Sequence, residues 1–381
     1  MNAYGGGEAM LNRRSFVGTG FAALAGRMLP EAAYAQRALV RGNLPPDMVW
    51  LNANENPDGP PQSSIEAMTK VLAEGGRYHY QEFGAFTAAL AQNEDLAPEQ
   101  IQIGSGSSEV LHAAVDAFTS PTRPLITVSP TYEGPVELAA RGLGRTVVRI
   151  PLEPPYAPDV KKLASEAEKA GGGLIYLCNP NNPTSAITPR KDQSWLIENL
   201  PANTVLLIDE AYAHFADNPD YESALGYVRR GQKNVVVTRT FSKIYGMAGL
   251  RAGFACATPD LVEKMAPFRN NVISIVTARA VLAAVGESRT LIPERRAKFI
   301  RIRRELCDWL RERGLPYIDP NGNFIMIDVG RDAREFISAM PPKGVAVGRP
   351  FPPMNNFLRV SIGTDADMAK FRDVFWSVYK A

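Results

Sequence analysis

The chain has 381 residues, 45% of them hydrophobic, and its 42 basic and 40 acidic side chains leave a formal net charge of +2. That length buries a sizeable core and has room for two domains. Charge this balanced, with no block of one sign, gives no ground for a nucleic-acid partner. Cys178, Cys256 and Cys307 lack metal or redox spacing, and the first two read as buried small hydrophobes.

The first segment reads as an export signal. Arg13 and Arg14 precede a modestly apolar stretch, and Ala33-Tyr34-Ala35 before Gln36 forms a small-x-small cleavage site. The arginine pair followed by Ser15-Phe16 resembles a twin-arginine signal, a route that carries folded proteins. A disordered basic tail or an uncleaved anchor are the alternatives. Arg27 and several glycines make the stretch too short and weak for stable membrane insertion. Residues 1–35 are therefore expected to direct the protein to the periplasm, or to leave it cytoplasmic if the signal does not function.

From there "LPPDMVWLNANENPDGPP" reads as an extended arm, and 36–61 is assigned to it. "SSIEAMTKVLAEGG" predicts an amphipathic helix capped by Ser63 or Ser64, and "FGAFTAALAQNEDL" a second helix. The strand "QIQIG" leads through "SGSSE" into the helix "VLHAAVDAFTS". Further strands are expected at "PLITVSP", "GLIYLCNP", "TVLLIDE", "NVVVTRT" and "AGFACAT". These runs are continuously apolar, as strands buried on both faces are. Helical or loop segments between them predict an α/β fold with a mostly parallel sheet covered by helices. A long amphipathic helix at "TLIPERRAKFIRIRRELCDWLRERG" opens a mixed α+β texture. The expected division is a large domain over 62–270 and a smaller one over 271–381.

Ligands of such sheets bind beyond the carboxyl ends of the strands, and four strand ends carry unusual polar residues. "IGSGSSE" places Gly104, Gly106 and serines at a helix start, where free N–H groups favour an anion, although a plain tight connection reads equally well. "CNPNNPTS" crowds side-chain amides into a rigid loop. Asp209 ends the strand "LLIDEAY", where an unpaired charge is expensive, with a helix cap as the alternative. The fourth end carries Thr240, Ser242, Lys243 and Arg251. A phosphate cradle, a carboxylate, a lysine and an arginine around one crevice suit pyridoxal 5′-phosphate. The lysine forms the Schiff base, and the carboxylate keeps the pyridine nitrogen protonated.

"NPNNPT", "DEAY", "SK" followed by the arginine of "GLR", and "LRVSIGT" together resemble the fold-type I aminotransferases, most nearly the histidinol-phosphate aminotransferase branch. "LNANENP" and "RY" at 77–78 match that branch too, so the resemblance spans nearly all of 45–381. It implies a large cofactor domain, and a small domain that the N-terminal arm joins. It implies Lys243 as Schiff-base lysine and proton carrier, Asp209 at the pyridine nitrogen, and Asn182 and Tyr212 at the 3′ oxygen. It further implies Tyr132 stacked on the ring, and Gly106, Ser107, Ser108, Thr240, Ser242 and Arg251 around the phosphate. Arg359 would clamp the substrate α-carboxylate. Tyr78 would reach the phosphate from a neighbouring subunit, making a homodimer part of the site, with Tyr80 as its competitor.

The usual glycine of the Asn-Pro-rich loop reads Ser185, and "GVAVGRPFPPMNN" is longer and richer in proline than the branch leads one to expect. Arg349 within it either meets a distal anion of the substrate or lies at the domain surface. His79 lies near the site in sequence, whereas His112 and His214 are expected on helix faces. The expected activity is transfer of an amino group between an amino acid and a 2-oxo acid. A decarboxylase or lyase on the same scaffold is the alternative, and an exported non-catalytic binding protein a weaker one.

Overall fold

A computed structural model of the chain describes residues 45–269 and 272–381. The signal expected over 1–35 and the start of the arm lie outside the described residues. After a short strand β1 (Val49–Leu51) come β2 (Ile101–Gly104), β3 (Leu125–Ser129), β4 (Val147–Pro151), β5 (Gly173–Cys178), β6 (Thr204–Asp209), β7 (Val235–Thr240) and β8 (Gly253–Cys256). These last seven form the central sheet in the order β2-β8-β7-β6-β5-β3-β4. Strand β8 is antiparallel to both neighbours, and every other pairing is parallel.

The continuous apolar runs have the expected cause: every residue of β5, β7 and β8 is buried. In the helix Ser107–Phe118, Val110, Leu111, Ala114 and Val115 recur at helical spacing and are completely buried. Strand β4, absent from the expected elements, is one of the two edge strands. Its apolar run is broken by Arg149, whose Nε donates to Glu137 Oε1 across 2.8 Å.

The expected serine cap is corrected. The helix Gln62–Val71 starts after Pro61 with no side-chain cap, and both serines fall inside its first turn. Ser64 Oγ donates to the Ala280 carbonyl (2.7 Å) and Ser63 Oγ to Glu287 (2.8 Å). Ala280 belongs to the helix Ile275–Gly286, which the sequence reading did not single out. The serines therefore tie one helix to another. His112 lies in the helix Ser107–Phe118, whereas His214 sits in the single tight turn Ala213–Phe215. Burial, aided by the charges of Arg239 and Arg296, pushes His214 down to about 3 and keeps it neutral.

Four strands follow: β9 (Tyr317–Ile318), β10 (Phe324–Asp328), β11 (Val345–Val347) and β12 (Phe357–Ser361). Strands β12, β10 and β9 make an antiparallel sheet in that order. Strand β1 pairs in parallel with β11, Val49 opposite Val345 and Leu51 opposite Val347. That pairing fixes the direction in which residues 52–56 leave β1. The last helix, Asp365–Tyr379, has a reciprocal cap: the Thr364 side chain accepts from Asp367 N, and the Asp367 carboxylate accepts from Thr364 N.

Alternation along a strand puts neighbouring side chains on opposite faces. Glu210, just after β6, meets Arg239 of β7 at 2.9 Å, with the carboxylate side chain fully buried and the guanidinium 9% exposed. Ser223 Oγ and Ala224 N also donate to that carboxylate. Arg239→Leu would leave Glu210 buried and unpaired, so unfolding in denaturant should show a loss of about 3 kcal/mol or more. A loss below about 1 kcal/mol would mean that the pair is not a support of the fold.

Candidate active site

The carboxyl end of β2 meets the amino end of β8, Gly104 opposite Gly253. Gly106, at φ +81°, caps the helix Ser107–Phe118. A Cβ on Gly106 would fall 2.2 Å from Arg251 Nη2, and one on Gly253 would fall 2.3 Å from Ser107 N. Only glycines let this guanidinium lie against the helix start. Arg251 Nη1 also reaches Ser242 Oγ (3.4 Å), and Thr240 Oγ1 donates to the same oxygen (3.0 Å). A helix N-terminus, a guanidinium and two hydroxyls thus surround one small space, a donor set suited to phosphate.

One strand away, Asp209 is 1% exposed. Its Oδ1 accepts from Thr238 Oγ1 (3.0 Å) and Ala211 N (3.2 Å), and its Oδ2 from Tyr176 OH (3.4 Å). Among the described residues no basic side chain forms an ion pair with it. Burial pushes its carboxyl up to about 6, against these hydrogen bonds and the charge of Lys243. The alternative of a helix cap is reduced to one bond in the turn at Ala211. Such a carboxylate suits a cationic N–H brought by a ligand.

Beside it runs a connected network. Asn182 Nδ2 (3.4 Å) and Asn54 Nδ2 (3.2 Å) both donate to Tyr212 OH, whose pKa burial raises, so the phenol keeps its proton. Lys243 Nζ donates to the carbonyl oxygens of Asn54 (3.0 Å) and Ala53 (3.4 Å) and lies 5.5 Å from the centre of the Tyr212 ring. Arg359, on β12, donates through Nη1 to Asn182 Oδ1 (2.8 Å) and through Nη2 to the Asn52 carbonyl (2.6 Å). Its buried Nε has no partner among the described residues, and burial lowers its pKa to about 10. A buried guanidinium held only by neutral acceptors suits an anion such as a carboxylate.

Lys243, Asp209, Tyr212, Asn182, Thr240, Ser242, Arg251, Gly106 and Ser107 therefore lie at or just beyond strand ends of the central sheet, and Arg359, in the middle of β12, reaches Asn182 among them. Tyr132 follows β3 and packs, partly buried, against the apolar core. Ser108 is the second residue of the helix that Gly106 caps. Tyr78 and Tyr80 stand apart from this chain's own site, 72% and 62% exposed, with their rings stacked at 5.1 Å. His79 between them is held by Glu82 (3.0 Å). Arg349 pairs with Glu133 (3.0 Å), its side chain 20% exposed. Ser185 holds a left-handed turn at φ 62°, where its hydroxyl accepts from Asn321 N (3.0 Å) and Gly322 N (2.7 Å). The sequence reading passed over Asn54, Tyr176 and Thr238. Thr238 was signalled by its period-two spacing from Thr240, and Asn54 by the Asn-rich arm.

The family described as aminotransferase class I and II matches residues 46–375. A histidinol-phosphate aminotransferase of Moorella thermoacetica is 32% identical, over 84% of this chain and 82% of its own. One from Akkermansia muciniphila is 31% identical, over 92% and 95%. The crystal structure of histidinol-phosphate aminotransferase from Sinorhizobium meliloti in complex with pyridoxal-5′-phosphate superposes with a TM-score of 0.81. It is 26% identical and matched over 92% of this chain and 94% of its own. The donor set derived from the geometry fits that cofactor at both ends, phosphate and ring nitrogen.

Asp209 has a consequence for the cofactor-free protein. Its folded pKa of about 6 lies above the ordinary 3.8. Between these values the folded chain keeps a proton that the unfolded chain releases, so the stability from this site is lost as pH rises through the window. Asp209→Asn removes this contribution. Stability curves of the cofactor-free proteins from pH 4 to 6 should differ in slope, by about 3 kcal/mol across the window. Parallel curves would rule out a raised Asp209.

Proposed function

The chain belongs to the class I and II aminotransferases and is a pyridoxal-phosphate-dependent transaminase of amino acids and 2-oxo acids, and we propose that Lys243 does its covalent and proton-transfer work. The observation that carries this reading is the unbroken chain of hydrogen bonds from Arg359 through Asn182, Tyr212 and Asn54 to Lys243. It joins the guanidinium of Arg359 to the amine of Lys243 through three intervening side chains.

When bound, the cofactor supplies an aldehyde that takes up the amino group and a ring that draws in the electrons released at the substrate Cα. Lys243 Nζ would hold the cofactor through its aldehyde carbon and would carry the proton at the substrate Cα. Asp209 keeps the ring nitrogen protonated, and the Tyr212 hydroxyl donates to the 3′ oxygen alongside Asn182. Gly106, Ser107, Ser108, Thr240, Ser242 and Arg251 hold the phosphate. Tyr132 would pack on the ring, and Arg359 would hold the substrate by its α-carboxylate. Tyr78 completes the phosphate site of the partner subunit in a homodimer, an arrangement its exposure supports. The large domain over 62–270 carries the cofactor, and the arm together with 271–381 carries Arg359.

The relatives named above are histidinol-phosphate aminotransferases. Arg13, Arg14 and the Ala33-Tyr34-Ala35 site support export to the periplasm by a twin-arginine route, where the amino donor and acceptor are drawn from external metabolites. Among the described residues no helix is long and apolar enough to cross a membrane.

Lys243→Ala should abolish formation of pyridoxamine phosphate from amino acids, read by absorbance. Full activity in that variant would refute the assignment. In cell fractions the native chain should be periplasmic and the Arg13/Arg14→Lys variant retained in the cytosol. A cytosolic native chain would refute export.

A further inference from the structure

Past Arg359 the wall of the site carries a second guanidinium with a carboxylate already against it. The ring of Phe351, 4% exposed, takes Arg359 Cζ at 4.8 Å and Arg349 Cζ at 4.2 Å from its centre. Arg349 Nη2 donates to Glu133 Oε1 (3.0 Å) and Nη1 to the Pro350 carbonyl (3.0 Å). Glu133 directly follows Tyr132, and the pair is largely withdrawn from solvent, at 20% and 25% exposure. Gly348 sets the spacing: a Cβ there would lie 2.8 Å from the Arg359 carbonyl, so β11 ends tight against β12 and carries Arg349 beside Arg359.

An α-carboxylate on Arg359 leaves that arginine neutralised, and Glu133 neutralises Arg349. Among the described residues of this wall both arginines are then already paired, so an acidic side chain meets no further countercharge from them. To pair with Arg349 it must displace Glu133 and leave that carboxylate partly buried beside a second anion. An uncharged side chain displaces nothing.

We propose that Glu133 and Arg349 are the specificity-determining pair of this enzyme, and that it takes amino acids with uncharged side chains in preference to acidic ones. The proposal rests on the placement of the substrate α-carboxylate at Arg359.

Two non-reacting carboxylates, 3-phenylpropanoate and succinate, separate the pair's role from turnover when titrated calorimetrically into purified holoenzyme. Kinetics with phenylalanine and glutamate run in parallel. The native enzyme should bind 3-phenylpropanoate more tightly and show the higher kcat/KM with phenylalanine. Glu133→Gln should move the affinity ratio toward succinate by about tenfold, Arg349→Met should move it the other way, and the double variant should return near the native ratio. Each ratio is taken within one protein, so a general loss of stability does not mimic it. Tighter native binding of succinate, or an unchanged ratio in Glu133→Gln, would overturn the proposal. Failure of every amino acid to react would instead count against the proposed catalytic roles, while the binding ratio would still judge the pair.

Discussion

A carboxylate placed at the end of a strand that is covered on both faces is the constraint around which the site is arranged. Two acidic residues stand in succession there, and alternation sends them to opposite sides of the sheet. Glu210 meets Arg239 from the adjacent strand, closing an ion pair inside the protein. Asp209 is given hydroxyl and N–H donors and no cation from the described residues. One face is thereby finished as structure, and the other is left to be completed by a positively charged group from outside.

Arg359 repeats that logic with the sign reversed. Its guanidinium is buried, yet what holds it is a side-chain amide oxygen and a main-chain carbonyl. Neutral partners fix its direction without cancelling its charge. Asp209 and Arg359, in separate hydrogen-bonded groups, thus keep opposite charges available for a ligand carrying the complementary pair, and little rearrangement is needed when it arrives. Arg349 makes the contrast: with Glu133 beside it, its charge is largely cancelled before any ligand enters.

The parallel strands and their polar ends were legible in the sequence because burial on both faces forces uninterrupted apolar runs, against which Asp209 and Lys243 stand out. The edge strand β4 was not, since half of it faces outward and Arg149 breaks its pattern. The serines near residue 63 satisfied the rule for a helix cap but bond to another helix, which a local pattern cannot foresee. Ser185, where the resemblance implies a glycine, keeps a left-handed turn and its hydroxyl accepts from residues 321 and 322, equally out of reach of a local pattern. Asn54 and Glu133 have ordinary residue types in loops. Their importance comes from partners far along the chain, and no window of sequence contains both ends of such a contact.

Asn54 is the extreme case. Held in a left-handed conformation, it accepts Lys243 and Asn323 on its carbonyl, donates to Tyr212, and exchanges hydrogen bonds with Ser361, 307 positions away. On the ribosome the lysine and the aspartate emerge long before Ser361 exists, and the central sheet can form around them in the meantime. The pocket itself cannot, because the arm that closes it waits for β11 and β12. Closure of the pocket therefore waits until translation has passed Ser361, and a product cut short before β12 keeps the lysine without the contacts that hold the arm over it.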